Sequence, residues 1–161
     1  MPFSPQERTA LIERYARGPA LLKAALAKVP PEALTWRPEP QQWSAHEIVV
    51  HCADSETNAY ARLRYVLAEE KAVIVGYDQD RWARALDYHA QPLEPALATV
   101  EAVRASTVPI LQRITDLEWR RIGHHTESGP YAAEDWLAIY AVHLEKHARQ
   151  IERNLARWTA R

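Results

Sequence analysis

The sequence predicts an all-α protein, a four-helix bundle with a long crossover connection between helices two and three. Three observations lead there. Four long stretches repeat apolar residues at three- and four-residue intervals, the period of a helix that buries one face. Two of them open on a serine followed three residues later by glutamate, a helix-start signature. No pair of alternating segments reads as a strand hairpin. The 161 residues suffice for one domain with a substantial core but not for two ordinary ones, so a single bundle domain over 1–161 is expected.

The first helix starts at Ser4-Pro5-Gln6-Glu7, with serine as cap and proline at the first helical position, where a missing N–H costs little. Leu11, Tyr15, Leu22, Leu26 and Val29 keep helical spacing across Gly18-Pro19. A kink is expected there, because Pro19 removes an amide donor and crowds the preceding turn, and Pro30-Pro31 ends the helix. After the proline-punctuated stretch 34–42, Ser44-Ala45-His46-Glu47 is a second start, with Trp43 placed to staple against Ile48. Ile48, Cys52, Ala59, Leu63, Val66 and Leu67 carry helix two to about Glu69.

Residues 70–91 are mixed: an apolar run at 72–75, a break at Gly76, and a short irregular helix around Trp82. A connection this long either crosses over the bundle or covers a site. Helix three is expected from about Pro92 to Asp116, with Leu93, Leu97, Val100, Val103, Ile110 and Ile114 inward and a kink at Pro109. Residues 119–129 read as a loop, and Ser128-Gly129-Pro130 leads into the last helix. Its stripe of Leu137, Ala141, Leu144, Ala148, Ile151 and Leu155 is nearly unbroken, and Trp136, Tyr140, His143, His147, Gln150 and Asn154 form a second stripe on its shoulder.

A formal net charge of −1 removes any global electrostatic reason to bind nucleic acid or an anionic membrane. The opening MPFSPQERTA lacks the basic start and apolar run of a secretory signal. No apolar run approaches the roughly 20 residues of a membrane span, and a cytoplasmic protein is expected. Cys52 is the only cysteine, so an intrachain disulfide and a cysteine zinc site within one chain are excluded. Any metal must be held by histidine and carboxylate. No glycine pattern cradles phosphate.

His143 and His147 stand four residues apart, so a helix stacks them on one face about 6 Å apart. That spacing chelates metals, but histidines so placed also fill helix shoulders or bond carboxylates, and Leu144 after His143 departs from HExxH. A tripod needs a third ligand on a facing helix, and His51 is the candidate. Its stripe of Glu47, Asp54, Ser55 and Asn58 either lines a wet pocket or faces solvent. Three neutral imidazoles suit a divalent metal, zinc or nickel first and then iron, manganese or cobalt, and leave a position open for water, substrate or a thiolate. Glu47, Asp54 and Tyr140 lie one turn from a ligand and are candidates to orient an imidazole or share a proton; none is assigned as general base. His46 is expected to face solvent, His89, His124 and His125 to lie in loops, and Cys52 to fill the core. Most tryptophans should pack, with Trp36, Trp43 and Trp136 near helix ends that could border a pocket.

Trp36, Pro40, Trp43, Ser44, Glu47 and His51, followed about ninety residues later by His143, His147, Gln150 and Ile151, form an ordered set. Together with YDQDRW at Tyr77–Trp82, this set resembles the DinB superfamily, the DinB/YfiT-like metalloenzymes, over nearly the whole chain. The resemblance implies a four-helix bundle with a long crossover, commonly a homodimer, and a divalent metal held by three histidines. By position those are His51, His143 and His147. Members of the family include S-transferases and isomerases that use low-molecular-weight thiols, as well as metal-dependent hydrolases.

The expectation is therefore a metal-dependent enzyme acting on a small molecule by S-transferase-like or hydrolase-like chemistry, with a low-molecular-weight thiol as cofactor in the first case. The other reading is a non-catalytic, stress-linked binding or dimerisation bundle whose metal is structural or absent.

Overall fold

The computed structural model of the chain describes residues 3–161, so the first two positions of the domain expected over 1–161 lie outside the described residues. Helix α1 (Pro5–Leu26) is followed by α2 (Ala45–Ala68). The crossover holds strand β1 (Val73–Ile74), helix α3 (Gln79–Ala85) and a 3-10 turn at Tyr88–Ala90. Helix α4 (Leu93–Leu111), the single-turn helix α5 (Asp116–Trp119) and strands β2 (Ile122–His125) and β3 (Gly129–Ala132) lead into α6 (Ala133–Tyr140) and α7 (His143–Thr159). Helices α1, α2, α4 and the α6–α7 pair form the four-helix bundle, in which α1 packs on α4 and α7, and α2 on the same two.

Both predicted capping boxes form: Ser4 and Ser44 accept the amides of Glu7 and Glu47, whose carboxylates reach back to the two cap amides. Helix α1 stops at Leu26, one turn before the expected end, and Val29 packs on the core from the following turn. The stretch read as a loop, 119–129, holds the end of α5 and strand β2. β2 pairs antiparallel with β3, Ile122 opposite Ala132 and His125 opposite Gly129, and parallel with β1, Val73 opposite His124. The hairpin absent from the sequence reading is therefore present; its strands, IGHH and GPYA, carry too few apolar residues to show a period of two. Gly129, at φ 80°, closes the turn in a conformation that suits glycine.

The bundle's interior is divided. One apolar cluster contains Leu22, Val49, Cys52, Val100, Leu144 and Ile151; the other contains Tyr15, Ala59, Leu63, Leu111, Trp136 and Ala141. Between them, at one level on all four helices, stand Gly18, Glu56, Arg104 and His143. Arg104 is 1% exposed and forks onto the fully buried Glu56, Nε to Oε2 at 2.9 Å and Nη2 to Oε1 at 2.6 Å. A buried guanidinium survives only when charge and hydrogen bonds are both met.

Its remaining protons account for two features of the helices. Nη1 donates to the Tyr15 carbonyl at 2.5 Å. In an uninterrupted helix that carbonyl would accept the amide of residue 19, but Pro19 has none, so Arg104 supplies the missing donor. Gly18 leaves the space: a Cβ there would lie 2.6 Å from Nη1 and 3.0 Å from the Leu144 Cβ. Nη2 also donates to the Tyr140 carbonyl at 2.9 Å, and the last helix, expected to be continuous, breaks just beyond it, with Val142 at φ −107° and ψ −2°. A side chain inserted at a helix carbonyl is a recognised cause of such a break.

Arg104→Met should lower the unfolding free energy by about 3–5 kcal/mol, because it strands the Glu56 carboxylate. Gly18→Ala, which only crowds the guanidinium, should cost about 1–3 kcal/mol. Urea titration of the two variants checks the order, and a smaller loss for Arg104→Met would contradict the account.

Candidate metal centre

The second turn of α2 places His51 inward at 2% exposure, and α7 begins with His143 and presents His147 one turn on. The break before α7 thus sets the angle at which both α7 histidines meet α2. One ring nitrogen of each histidine lies within 4.8 Å of one from each of the others. The ring centroids are 4.6 Å apart for His143 and His147, 4.9 Å for His51 and His147, and 5.7 Å for His51 and His143, all edge-to-face. The Trp43 ring lies 4.5 Å from that of His51, a wall of the site rather than only a helix staple.

Hydrogen bonds settle which nitrogens are free. His143 Nδ1 lies 3.0 Å from Glu56 Oε1. Because an ionised carboxylate only accepts, Nδ1 donates, and Nε2 is the nitrogen that the neutral ring offers to an ion. His147 Nδ1 lies 3.0 Å from Gln150 Oε1, with the same consequence. His143 Nε2 has the Ser55 hydroxyl at 3.3 Å. His51 Nδ1 is buried without a hydrogen-bond partner among the described residues. Two rings locked through Nδ1 and a third with an orphaned nitrogen, all converging, fit a divalent ion, since second hydrogen bonds of this kind orient ligating imidazoles.

The charge states agree. Burial, then the neighbouring His147 and His143, pushes His51 down to about 2. Burial and His143 push His147 down to about 4, against the pull of Gln150. Both are neutral at pH 7, the form that binds metal. Burial by itself would raise the Glu56 carboxyl, but Arg104 and His143 outweigh it and hold the group below its ordinary value, ionised.

Of Glu47, Asp54 and Tyr140, Tyr140 stands against a triad ring, 5.6 Å from His143. Burial raises its phenol while Arg62 and Ser55 pull the other way. The Glu47 carboxylate is committed to Arg37 and the Ser44 amide, with His89 Nε2 at 3.4 Å. Asp54 accepts the Tyr88 hydroxyl at 2.5 Å. His46, expected in solvent, is half-buried with Nε2 2.8 Å from the Gln91 carbonyl, held by the crossover that folds back on α2. His89 lies in the 3-10 turn, and His124 and His125 lie on β2 instead of in loops. Cys52 is fully buried in the core, as expected. Glu56 and Arg104 went unread as functional residues. Their signal was a charge on each core stripe, Glu56 between Cys52 and Ala59, and Arg104 between Val100 and Leu111.

Residues 14–151 match the sequence profile of the DinB superfamily. A relative from Oceanobacillus iheyensis, provisionally named a metal-dependent hydrolase, is 32% identical over 133 residues, 83% of this chain and 77% of its own length. YfiT of Bacillus subtilis, with the same provisional name, is 26% identical over 150 residues, 92% of this chain and 84% of its own. The solved structure of B. subtilis YfiT, described as an unusual four-helix bundle, superposes with a TM-score of 0.90 at 25% identity, covering 98% of this chain and 90% of that one.

Neutral burial makes the site acid-sensitive. Against the ordinary histidine value of 6.5, the folded values of His51 and His147 are low, so from about pH 6.5 down to about 4 the unfolded chain binds more protons. Metal-free protein should lose roughly 1–3 kcal/mol of unfolding free energy per pH unit in that window. Urea midpoints at pH 7, 6 and 5 test this, and His51→Gln/His147→Gln should flatten the slope. A wild-type midpoint indifferent to pH would rule the account out.

Proposed function

The chain belongs to the DinB superfamily, and on that premise we propose that it is a metal-dependent enzyme, a hydrolase of a small molecule, whose divalent ion is held by His51, His143 and His147. The observation that supports this most is the convergence of one nitrogen from each ring within 4.8 Å. The names of the relatives support the hydrolytic class. When bound, a divalent ion supplies Lewis acidity, activating water and polarising a carbonyl or phosphoryl oxygen.

The chain's own residues do the rest. Glu56 holds His143 by Nδ1 and Gln150 holds His147 by Nδ1, so Nε2 of each ring is the nitrogen left to take an ion. Trp43 packs against the His51 ring, whose burial keeps water from it. The Tyr140 phenol, protonated because burial raises its pKa, is a hydrogen-bond donor suited to an oxygen that gains charge. Among the described residues no helix is long and apolar enough to cross a membrane.

Protein purified without an affinity tag should carry one divalent ion per chain by elemental analysis, and His147→Ala should lose it. Glu56→Gln should retain the ligands but bind zinc about 10–100-fold more weakly, in line with other losses of an imidazole's supporting hydrogen bond. Chelation should abolish turnover of small esters or amides, and added zinc, nickel or manganese should restore it. Absence of stoichiometric metal, with His147→Ala indistinguishable from wild type, would refute the reading. Turnover that requires an added low-molecular-weight thiol would move it to S-transfer.

A further inference from the structure

A cavity of about 720 Å³ lies between α2 and the crossover, walled by Asn58, Val75, Tyr77, Arg81, Trp82 and Leu86. This is within the ~300–1,000 Å³ of typical small-molecule sites. Its walls are mainly apolar and aromatic, with the Tyr77 and Trp82 rings 4.5 Å apart; the Asp78 carboxylate, also in the lining, caps α3 by accepting the Arg81 amide.

The face of α2 that carries the candidate triad continues into it. His51, Ser55, Asn58 and Arg62 fall at i, i+4, i+7 and i+11, a single helical face. Ser55 stands 3.3 Å from His143 Nε2, Asn58 lines the cavity, and Arg62, one turn further, contacts two of the cavity's wall residues, Val75 and Tyr77. Arg62 Nη1 donates to the Tyr140 hydroxyl at 3.1 Å and Nη2 to the Val75 carbonyl at 2.8 Å, and the guanidinium lies 5.8 Å from the Tyr77 ring. One tyrosine therefore separates this cation from His143.

Arg62 is half-buried, yet neither of its partners carries a charge, and its Nε is buried with no hydrogen-bond partner among the described residues. Arg8 and Arg104 are treated differently, since each meets a carboxylate. A guanidinium with an unused N–H and no counter-charge, beside an apolar chamber, is matched by a carboxylate, which accepts in the plane of the fork.

We propose that this cavity is the substrate chamber of the triad, that it takes a small carboxylic acid with an aromatic or acyl body, and that Arg62 reads the carboxylate. The body lies against Tyr77 and Trp82, and the reacting group points along α2 past Ser55 to the three histidines. The inference rests on the metal-dependent reading for what happens at the triad but not for the binding step.

The test uses 2-naphthoate and its neutral counterpart 2-naphthamide as probes on the full-length protein, with zinc content measured on every sample. Naphthoate should bind about tenfold or more tightly than the amide, the factor that a single charge-assisted hydrogen bond provides. Arg62→Met should erase that preference without changing zinc content, and Arg153→Gln, an exposed arginine on α7 away from the cavity, should leave it intact. Ala85→Trp, at an exposed position lining the cavity, should block both probes and serves if Arg62→Met does not fold. Equal binding of the two probes by wild type, a carboxylate preference that survives in Arg62→Met, or binding unaffected by Ala85→Trp overturns the proposal. Loss of zinc from wild type with the naphthoate preference intact would sink the metal reading alone.

Discussion

A buried guanidinium has more hydrogen-bond donors than the interior of a helical bundle has spare acceptors, and this chain is arranged around meeting those of Arg104. Two go to the Glu56 carboxylate, one to the carbonyl of Tyr15 and one to that of Tyr140. Each acceptor entails a local departure from ideal helix. Pro19 frees the Tyr15 carbonyl, Gly18 admits the guanidinium, and the last helix breaks beyond Tyr140. The Tyr15 ring also lies 3.9 Å from the guanidinium carbon, so the cation is covered by a π face. These features look like unrelated irregularities along the chain; in space they are one contact seen from three helices.

The same contact reaches the candidate site through Glu56. The Oε1 that accepts from Arg104 Nη2 also faces His143 Nδ1, so the charge that makes the arginine tolerable also sets the tautomer of the histidine. Because Arg104 reaches α1, α2 and α6 as well as its own helix, the orientation of His143 is tied to the position of all four bundle elements. A ring held in this way loses little freedom on taking up an ion, which is the usual advantage of preorganised ligands. His51 is fixed by different means, burial and the Trp43 ring, and its Nδ1 has no hydrogen-bond partner among the described residues.

Much of this was legible in the sequence, and the parts that were not share a cause. Helices α1 and α2 were readable because apolar period, serine cap and burial agree, and α4, which has no side-chain cap, was readable from its period alone. His51, His143 and His147 could be set side by side once Trp36, Trp43, Ser44 and Glu47 were taken with them as an ordered pattern. Glu47 was taken for a helper of the histidines, whereas its carboxylate closes the capping box and pairs with Arg37. Glu56 and Arg104 were passed over because reading by period assigns every charged residue to solvent, although each falls on the apolar stripe of its helix. The break at residues 141–142 was invisible for a related reason: Tyr140, Ala141 and Val142 do not end helices, and the interruption is caused by an arginine about forty positions away. The short strands were missed because pairing across the sheet, not side-chain alternation, holds them.

Counting charge at the site shows why its donor set matters. Arg104 and Glu56 cancel, and burial keeps His51 and His147 deprotonated. No carboxylate belongs to the converging group; Glu56 is behind His143, and Asp54 is engaged by the Tyr88 hydroxyl. A divalent ion among these rings would keep its full charge instead of having it reduced by an anionic ligand, and the local pKa logic would be dominated by that ion. Any ligand that shares the site is then favoured if it is an anion or can become one by losing a proton. Arg62 adds a further positive group one tyrosine away, along the same face of α2. The bundle interior thus holds a compensated ion pair that fixes the orientation of His143, with Arg62, a cation that meets no carboxylate among the described residues, further along the same face of α2.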